Sequence, residues 1–345
     1  MNNTTVTPSH NNNNQYGVAD LCLTYRNQSP TATHLFRNPP PEYFPLLGVG
    51  LFFFLISSLV LGVEVRKHSA FFKHAYFKLS SRVVMILSAF WLFAFTNVLG
   101  IVFVRGDVFL HFVANVFECA CFLAFYDCVL LHCRAVGEVF DGSNNLPLRV
   151  PPCCCCLFCL PEMKTTKRNF WWLRLAIFQL IFVQTLVEFM RTLAVFDCSF
   201  DPEATQVVVF DALLTVSFLV AMWALFVVVK GRGSKLAKYK YLQKFGLFKL
   251  MILVQKFLYK LLAFLANRGH IASYKGLSGK LRCAIWTNFV AVVVSTMLLL
   301  VIRNLFVVEE YHVLNDSGNK ERYAVVNEEF TGAVSIQDDA SSVVG

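Results

Sequence analysis

Charge is scarce in this chain: Asp, Glu, Lys and Arg make up 15% of its 345 residues, while 56% are hydrophobic and 35 are Phe. Such a composition leaves no room for a hidden soluble domain. No Gly-rich phosphate loop ending in Lys-Ser or Lys-Thr is present, so ATP-driven pumping lacks its motif. No His-Glu-x-x-His or Gly-x-Ser-x-Gly run occurs either. The chain is not read as an enzyme, and no cofactor or metal is expected. Its eight histidines are scattered. His68, His74 and His132 fall in basic segments, where solvated loop roles are expected. The N-terminus lacks a charged region followed by an apolar run, so no cleavable signal peptide is expected and the first span directs insertion.

Long apolar runs are what the chain has instead. Six lie near Phe44–Val63, Val83–Val104, Val108–Leu131, Phe170–Phe196, Val207–Val229 and Ala284–Leu305. Each approaches or exceeds the roughly 20 apolar residues that cross a bilayer at about 1.5 Å per residue. Backbone groups in hydrocarbon must satisfy one another, so these runs are helices. The expected fold is an all-α integral membrane protein. Residues 1–43 form a polar tail, 44–306 the membrane domain with a Cys-rich loop at 134–169, and 307–345 a second polar tail.

Lys and Arg crowd alternate loops. Arg66, Lys67, Lys73, Lys78 and Arg82 follow span one; Arg134, Arg149, Lys164, Lys167 and Arg168 follow span three; Lys230 to Lys244 follow span five. The positive-inside rule puts these loops in the cytoplasm and the N-terminus outside. Each basic run abuts a span, which favours contact with membrane lipid headgroups over nucleic acid. Asn2, Asn3 and Asn27 head glycosylation triplets consistent with an outside tail, although Asn-rich tails generate such triplets by chance.

The seventh apolar stretch, Phe245–Asn267, carries Lys249, Lys256 and Lys260. Steps of seven and four residues keep all three within about 40° on a helix. Such a helix either lies flat in the interface or spans with its stripe turned to a polar path. Acids and amides within the other spans are candidate partners along that path. Gln184, Glu188 and Arg191 share one face of span four, and Glu188 and Lys260 sit at similar depth, roughly 22–27 Å from the cytoplasmic ends. Glu118, Asp127 and Asp211 are further acids in apolar segments. Ionisable groups at depth mark a functional path or a structural ion pair.

Cys153, Cys154, Cys155, Cys156 and Cys159 lie in the second cytoplasmic loop. Four adjacent thiols do not fit one tetrahedral metal, and only Cys156 and Cys159 have ligand-like spacing, with no second pair. Juxtamembrane thiols flanked by Leu, Phe and basic residues fit S-acylation; an unmodified thiol cluster is the alternative. Cys22 and Cys198 both fall outside the membrane on this topology.

The run from Cys153 to Pro161, Lys244-Phe245-Gly246-Leu247-Phe248, Leu265-Ala266-Asn267-Arg268-Gly269-His270-Ile271-Ala272 and Ala221-Met222-Trp223-Ala224-Leu225 together resemble the organic solute transporter alpha family. The resemblance covers spans one to seven and excludes both tails. It implies seven transmembrane helices, an extracellular N-terminus, a cytoplasmic C-terminus and a place in the plasma membrane. It also implies a small single-span beta-type subunit as partner. The solutes implied are bile acids, steroid conjugates and similar amphipathic organic molecules, moved by facilitated diffusion. The seventh segment would then span, with Lys249 snorkelling to the surface and Lys256 and Lys260 facing the bundle. The lysine stripe itself is not a family feature. The rival class is a seven-helix receptor. Yet span three ends in His132-Cys133-Arg134-Ala135-Val136 without an acidic-Arg-aromatic trio, and span seven lacks Asn-Pro-x-x-Tyr. A membrane organiser, acylated but not transporting, is the third class.

Overall fold

A computed structural model describes residues 32–37, 39–69, 77–135, 145–148, 150, 162–196, 205–231, 240–268 and 279–306. After a short helix α1 (Ala32–Arg37) come seven long ones: α2 (Tyr43–Ser69), α3 (Phe77–Val102), α4 (Asp107–Ala135), α5 (Lys167–Phe196), α6 (Thr205–Gly231), α7 (Tyr241–Asn267) and α8 (Gly279–Arg303). One 3-10 turn, Val104–Gly106, separates α3 from α4. Among the described residues, α2 to α6 and α8 are long and apolar enough to cross a membrane. In α7 Lys249, Lys256 and Lys260 interrupt the apolar run. Two short antiparallel strands, β1 (Asn145–Leu146) and β2 (Met163–Lys164), pair Asn145 with Lys164 and Leu146 with Met163.

Side-chain contacts sort the helix ends into two groups. At one end, here called upper, Arg282 Nε donates to Glu42 (2.8 Å), the Tyr43 hydroxyl donates to the Ile101 carbonyl (3.4 Å), Asn288 Nδ2 donates to Asp107 (2.9 Å), and Arg191 pairs with Asp211. At the lower end the Ser80 hydroxyl donates to the His68 carbonyl (3.0 Å), Arg82 pairs with Asp127 (3.2 Å), and the Tyr126 hydroxyl donates to the Phe170 carbonyl (2.7 Å). Tyr241 meets His132 there at 2.6 Å, and the Lys244 ammonium lies 4.5 Å from the Phe306 ring centre. The helices therefore alternate in direction. α7 starts low, α8 starts high, and the 27 residues of α7 reach about 40 Å at the α-helical rise.

Lipid tails give helices no hydrophobic reason to associate, so packing and polar contacts hold the bundle. α3 is the central helix, flanked by α2, α4 and α8. Trp91 Nε1 ties it to Ser58 of α2 at 2.9 Å. α7 lays its backbone against α8 and reaches α4 and α6 through aromatic rings. Phe248 meets Phe122 at 5.1 Å, and Phe245 meets Phe226 at 4.9 Å, both edge to face. Such pairs add about 0.5–1.5 kcal/mol beyond burial. Phe245, Phe248, Met251 and Ile252 form a packed face on the lower half of α7, while Leu242, Leu250, Leu253, Phe257, Leu261 and Phe264 are exposed along the helix. The segment at 145–150 closes onto the lower end of α6, where Trp223 Nε1 donates to the Leu148 carbonyl at 3.0 Å.

The expectation of solvated histidines is corrected. His68 and His132 are buried, each on a helix face packed against a neighbour; His74 lies outside the described residues. Both spans run on past their apolar cores, and their last turns still pack inside the bundle.

Candidate functional site

Two polar clusters sit between the helices. The upper one grows from α5. Gln184 and Glu188 are one helical turn apart, and Gln184 Nε2 donates to Glu188 Oε1 at 2.9 Å. Asn115 Nδ2 of α4 donates to the same oxygen at 3.4 Å. One turn higher, Arg191 lies 3.9 Å from Glu188 and turns its other nitrogen to Asp211 of α6. Arg191 thereby bridges two carboxylates on two helices, and Asp211 remains largely exposed. Partial burial strengthens the charge-assisted bonds to Glu188 relative to water, whereas the Arg191–Asp211 pair stays open to solvent screening.

A second upper junction lies beside it. Asp107 accepts from Asn288 of α8 at 2.9 Å and lies 3.5 Å from His111, one turn along α4. Glu188 is near enough to His111 to act on it electrostatically. The junction closes over Gly100: a Cβ there would stand 2.5 Å from both Asn288 Nδ2 and Asp107 Oδ1. Gly100→Ala is expected to cost about 1–3 kcal/mol through overpacking. The check is the melting temperature of the purified protein. An unshifted value would mean that the Asn288–Asp107 bond yields freely.

The lower cluster centres on Asp127, which is 3% exposed. Arg174 of α5 grips it with two nitrogens at 3.2 and 3.3 Å, and Arg82 of α3 approaches at 3.2 Å. Three helices thus share one buried carboxylate. Across the same level, the Tyr241 hydroxyl of α7 sits 2.6 Å from His132 Nδ1 and 3.3 Å from the Cys128 carbonyl. Lys244, one turn along, is fully buried beside the Tyr241 and Phe306 rings.

The residues singled out by sequence divide accordingly. Gln184, Glu188 and Asp211 come together in the upper cluster. Asp127 belongs to the lower one, about 18 Å away by the twelve residues separating it from Asn115 on α4. Glu118 is buried on α4 between them. Lys249 is partly buried, with its ammonium 5.6 Å from the Phe226 ring centre, so it reaches towards α6. Lys256 and Lys260 lie on α7, but their side chains are outside the described residues, and so is any pairing of Lys260 with Glu188. Also outside are Cys153, Cys154, Cys155, Cys156, Cys159, Asn2, Asn3, Asn27, Cys22 and Cys198. Sequence reading missed Arg174, Tyr241 and Asn115 as site residues; His132 and Arg82 were given to loops.

Apolar helices of spanning length, stapled by ionisable groups inside the bundle, define a multi-pass helical membrane protein. A model of the organic solute transporter Ostalpha family matches residues 46–311, and the chain belongs to that family. It is similar to the organic solute transporter subunit alpha of Bos taurus, 22% identical over 280 residues, which cover 77% of this chain and 79% of that protein. It is also similar to the subunit alpha of Leucoraja erinaceus, 23% identical over 145 residues, 41% of each chain. Both relatives are named as transporter subunits, not as enzymes. No solved structure matches.

Proposed function

We propose that this chain is an alpha-type subunit of an organic solute transporter. It carries amphipathic, often anionic solutes such as bile acids and steroid conjugates across the plasma membrane by facilitated diffusion, beside a single-span beta-type subunit. The relatives' name supports the class and the existence of a partner subunit.

The observation that carries the reading is α7. It starts among lower-end contacts and is followed by a helix whose first turns make upper-end contacts. That order favours a seventh span over a helix lying flat. Aromatic contacts hold one face of its lower half, while Leu242, Leu250, Leu253, Phe257 and Phe264 are 43–64% exposed along its length. Lys249 reaches towards α6, and the helical period sets Lys256 and Lys260 within about 40° of it. The cationic stripe then follows the seam between α6 and α7, with Asp211, Arg191 and Glu188 at its upper mouth. An anionic amphipath fits such a seam, charge against lysine and apolar body against exposed Phe and Leu.

The basic loops support a cytoplasmic lower end and an N-terminus outside. Acylation of the cysteine run and glycosylation at Asn2, Asn3 or Asn27 belong to the same topology. An epitope placed after Gly345 is expected to bind antibody only in permeabilised cells. For activity, labelled steroid sulfate uptake is measured with and without a candidate single-span partner. Saturable, gradient-driven flux that needs the partner is expected. Ligand-evoked G-protein activation without flux would overturn the reading.

A further inference from the structure

The lower cluster opens sideways. Leu123 of α4 and Trp171, Arg174, Leu175 and Phe178 of α5 line an open groove on the lipid-facing side of the bundle. The groove is a joint between two helices locked together just below it, where the Tyr126 hydroxyl donates to the Phe170 carbonyl. Its walls are apolar except at one point. There the Arg174 guanidinium grips Asp127 from the inside, yet its side chain is 35% exposed. Arg82, on the other side of the same carboxylate, is 38% exposed, while Asp127 itself is 4% exposed. Two cations face outwards around one carboxylate that does not.

Depth matters as much as charge. Arg174 lies seven residues into α5, about 10 Å from its start at the helical rise. Trp171 and Trp172, both more than half exposed, stand between it and that start, as aromatic residues do at a membrane–water boundary. Above Arg174 the groove continues into Leu175, Phe178 and Leu123 towards the bilayer centre. A ligand held here has its anion at headgroup level and its apolar part pointing into the membrane.

We infer that this groove is a binding site for an anionic phospholipid of the leaflet beside the lower end, its headgroup on Arg174 and one acyl chain along Leu123, Leu175 and Phe178. The site is separate from the α6–α7 seam and does not depend on transport. A free phosphate would satisfy Arg174 but leave the apolar wall without a role. The lipid uses both.

The experiment reconstitutes the full chain in phosphatidylcholine vesicles doped with spin-labelled phosphatidylserine or spin-labelled phosphatidylcholine. The motionally restricted fraction of each label is read by electron spin resonance. Phosphatidylserine is expected to associate about fivefold more strongly, the scale of one basic side chain near an anionic surface. Arg174→Gln, which leaves the Arg82–Asp127 pair in place, should bring that ratio close to one. Leu175→Trp, which fills the groove from an exposed position without touching the charges, should do the same if Arg174→Gln fails to fold. Equal restricted fractions for the two lipids in the unmodified chain overturn the inference. So does a serine-lipid preference that survives in either folded variant, which would belong to the loop cations. Displacement by millimolar inorganic phosphate reassigns the site to a soluble anion and equally overturns it.

Discussion

Removing both Arg82 and Arg174 will destabilise this protein far more than removing the carboxylate they share. Asp127 is 3% exposed. Stripping away its two guanidiniums leaves a buried negative charge without the cations that hold it. Breaking a buried ion pair in that way costs about 3–5 kcal/mol. Both arginines are more than a third exposed, which screens the pair and moves the expectation to the lower end, roughly 3 kcal/mol. Asp127→Asn, by contrast, keeps the volume and a hydrogen-bonding oxygen. It leaves two arginines whose exposed parts remain solvated, so about 1 kcal/mol is expected, the scale of one ordinary hydrogen bond. Thermal melting of the detergent-purified variants, followed by monodispersity on size exclusion, orders them. If Asp127→Asn is as damaging as the double arginine variant, the carboxylate is not the buried partner of those cations. Arg174→Gln alone should fall between, because Arg82 still faces the carboxylate.

The two clusters also show where a single sequence stops being informative. Six spans are legible because hydrocarbon forces every backbone group into a helix, and a run of twenty apolar residues cannot be disguised. Within one helix the period is equally dependable. Gln184, Glu188 and Arg191 are placed on one face by counting, and the structure joins Gln184 to Glu188 and Glu188 to Arg191. What counting cannot give is which helices are neighbours. Asp127 stands out as an acid in an apolar segment, but its partners are 45 and 47 residues away in sequence, on α3 and α5. Arg82 reads as one more cytoplasmic charge, and Arg174 is not singled out at all.

His132 fails for a related reason. It lies beside Cys133 and Arg134, where the apolar run gives way to charge, yet Leu130 and Leu131 before it are apolar and its ring nitrogen turns back 3.1 Å from the Cys128 carbonyl. That four-residue step was the available hint. The hydroxyl of Tyr241, which completes the contact from α7, left none. Lys244 shows the limit of loop-charge counting. It sits in a basic run counted towards the cytoplasmic side, and in the fold it is the most deeply buried cation described, beside two aromatic rings where cation–π attraction offsets part of its desolvation.

Lys256 and Lys260 carry the other large prediction. Replacing both with glutamine is expected to lower steroid sulfate uptake at least about tenfold, a loss of roughly 1.4 kcal/mol in the productive complex. Surface expression should hold or rise. A lysine at mid-membrane depth opposes insertion by about 2.5–3.5 kcal/mol on translocon scales, so its removal eases assembly, and reduced flux cannot then be blamed on folding. Arginine at both positions keeps the charge and should restore a large part of the flux. Lys249→Gln is expected to do little, since that ammonium already rests 5.6 Å from the Phe226 ring centre, a contact of about 0.5–1 kcal/mol. The proposed seam makes a further demand. Flux lost in the glutamine pair should depend on solute charge, severe for a sulfated steroid and slight for its uncharged parent. Equal loss for both solutes would mean that the lysines shape the helix and do not meet the anion. Unchanged uptake of the sulfated steroid would move the stripe out of the conduit and into the headgroups.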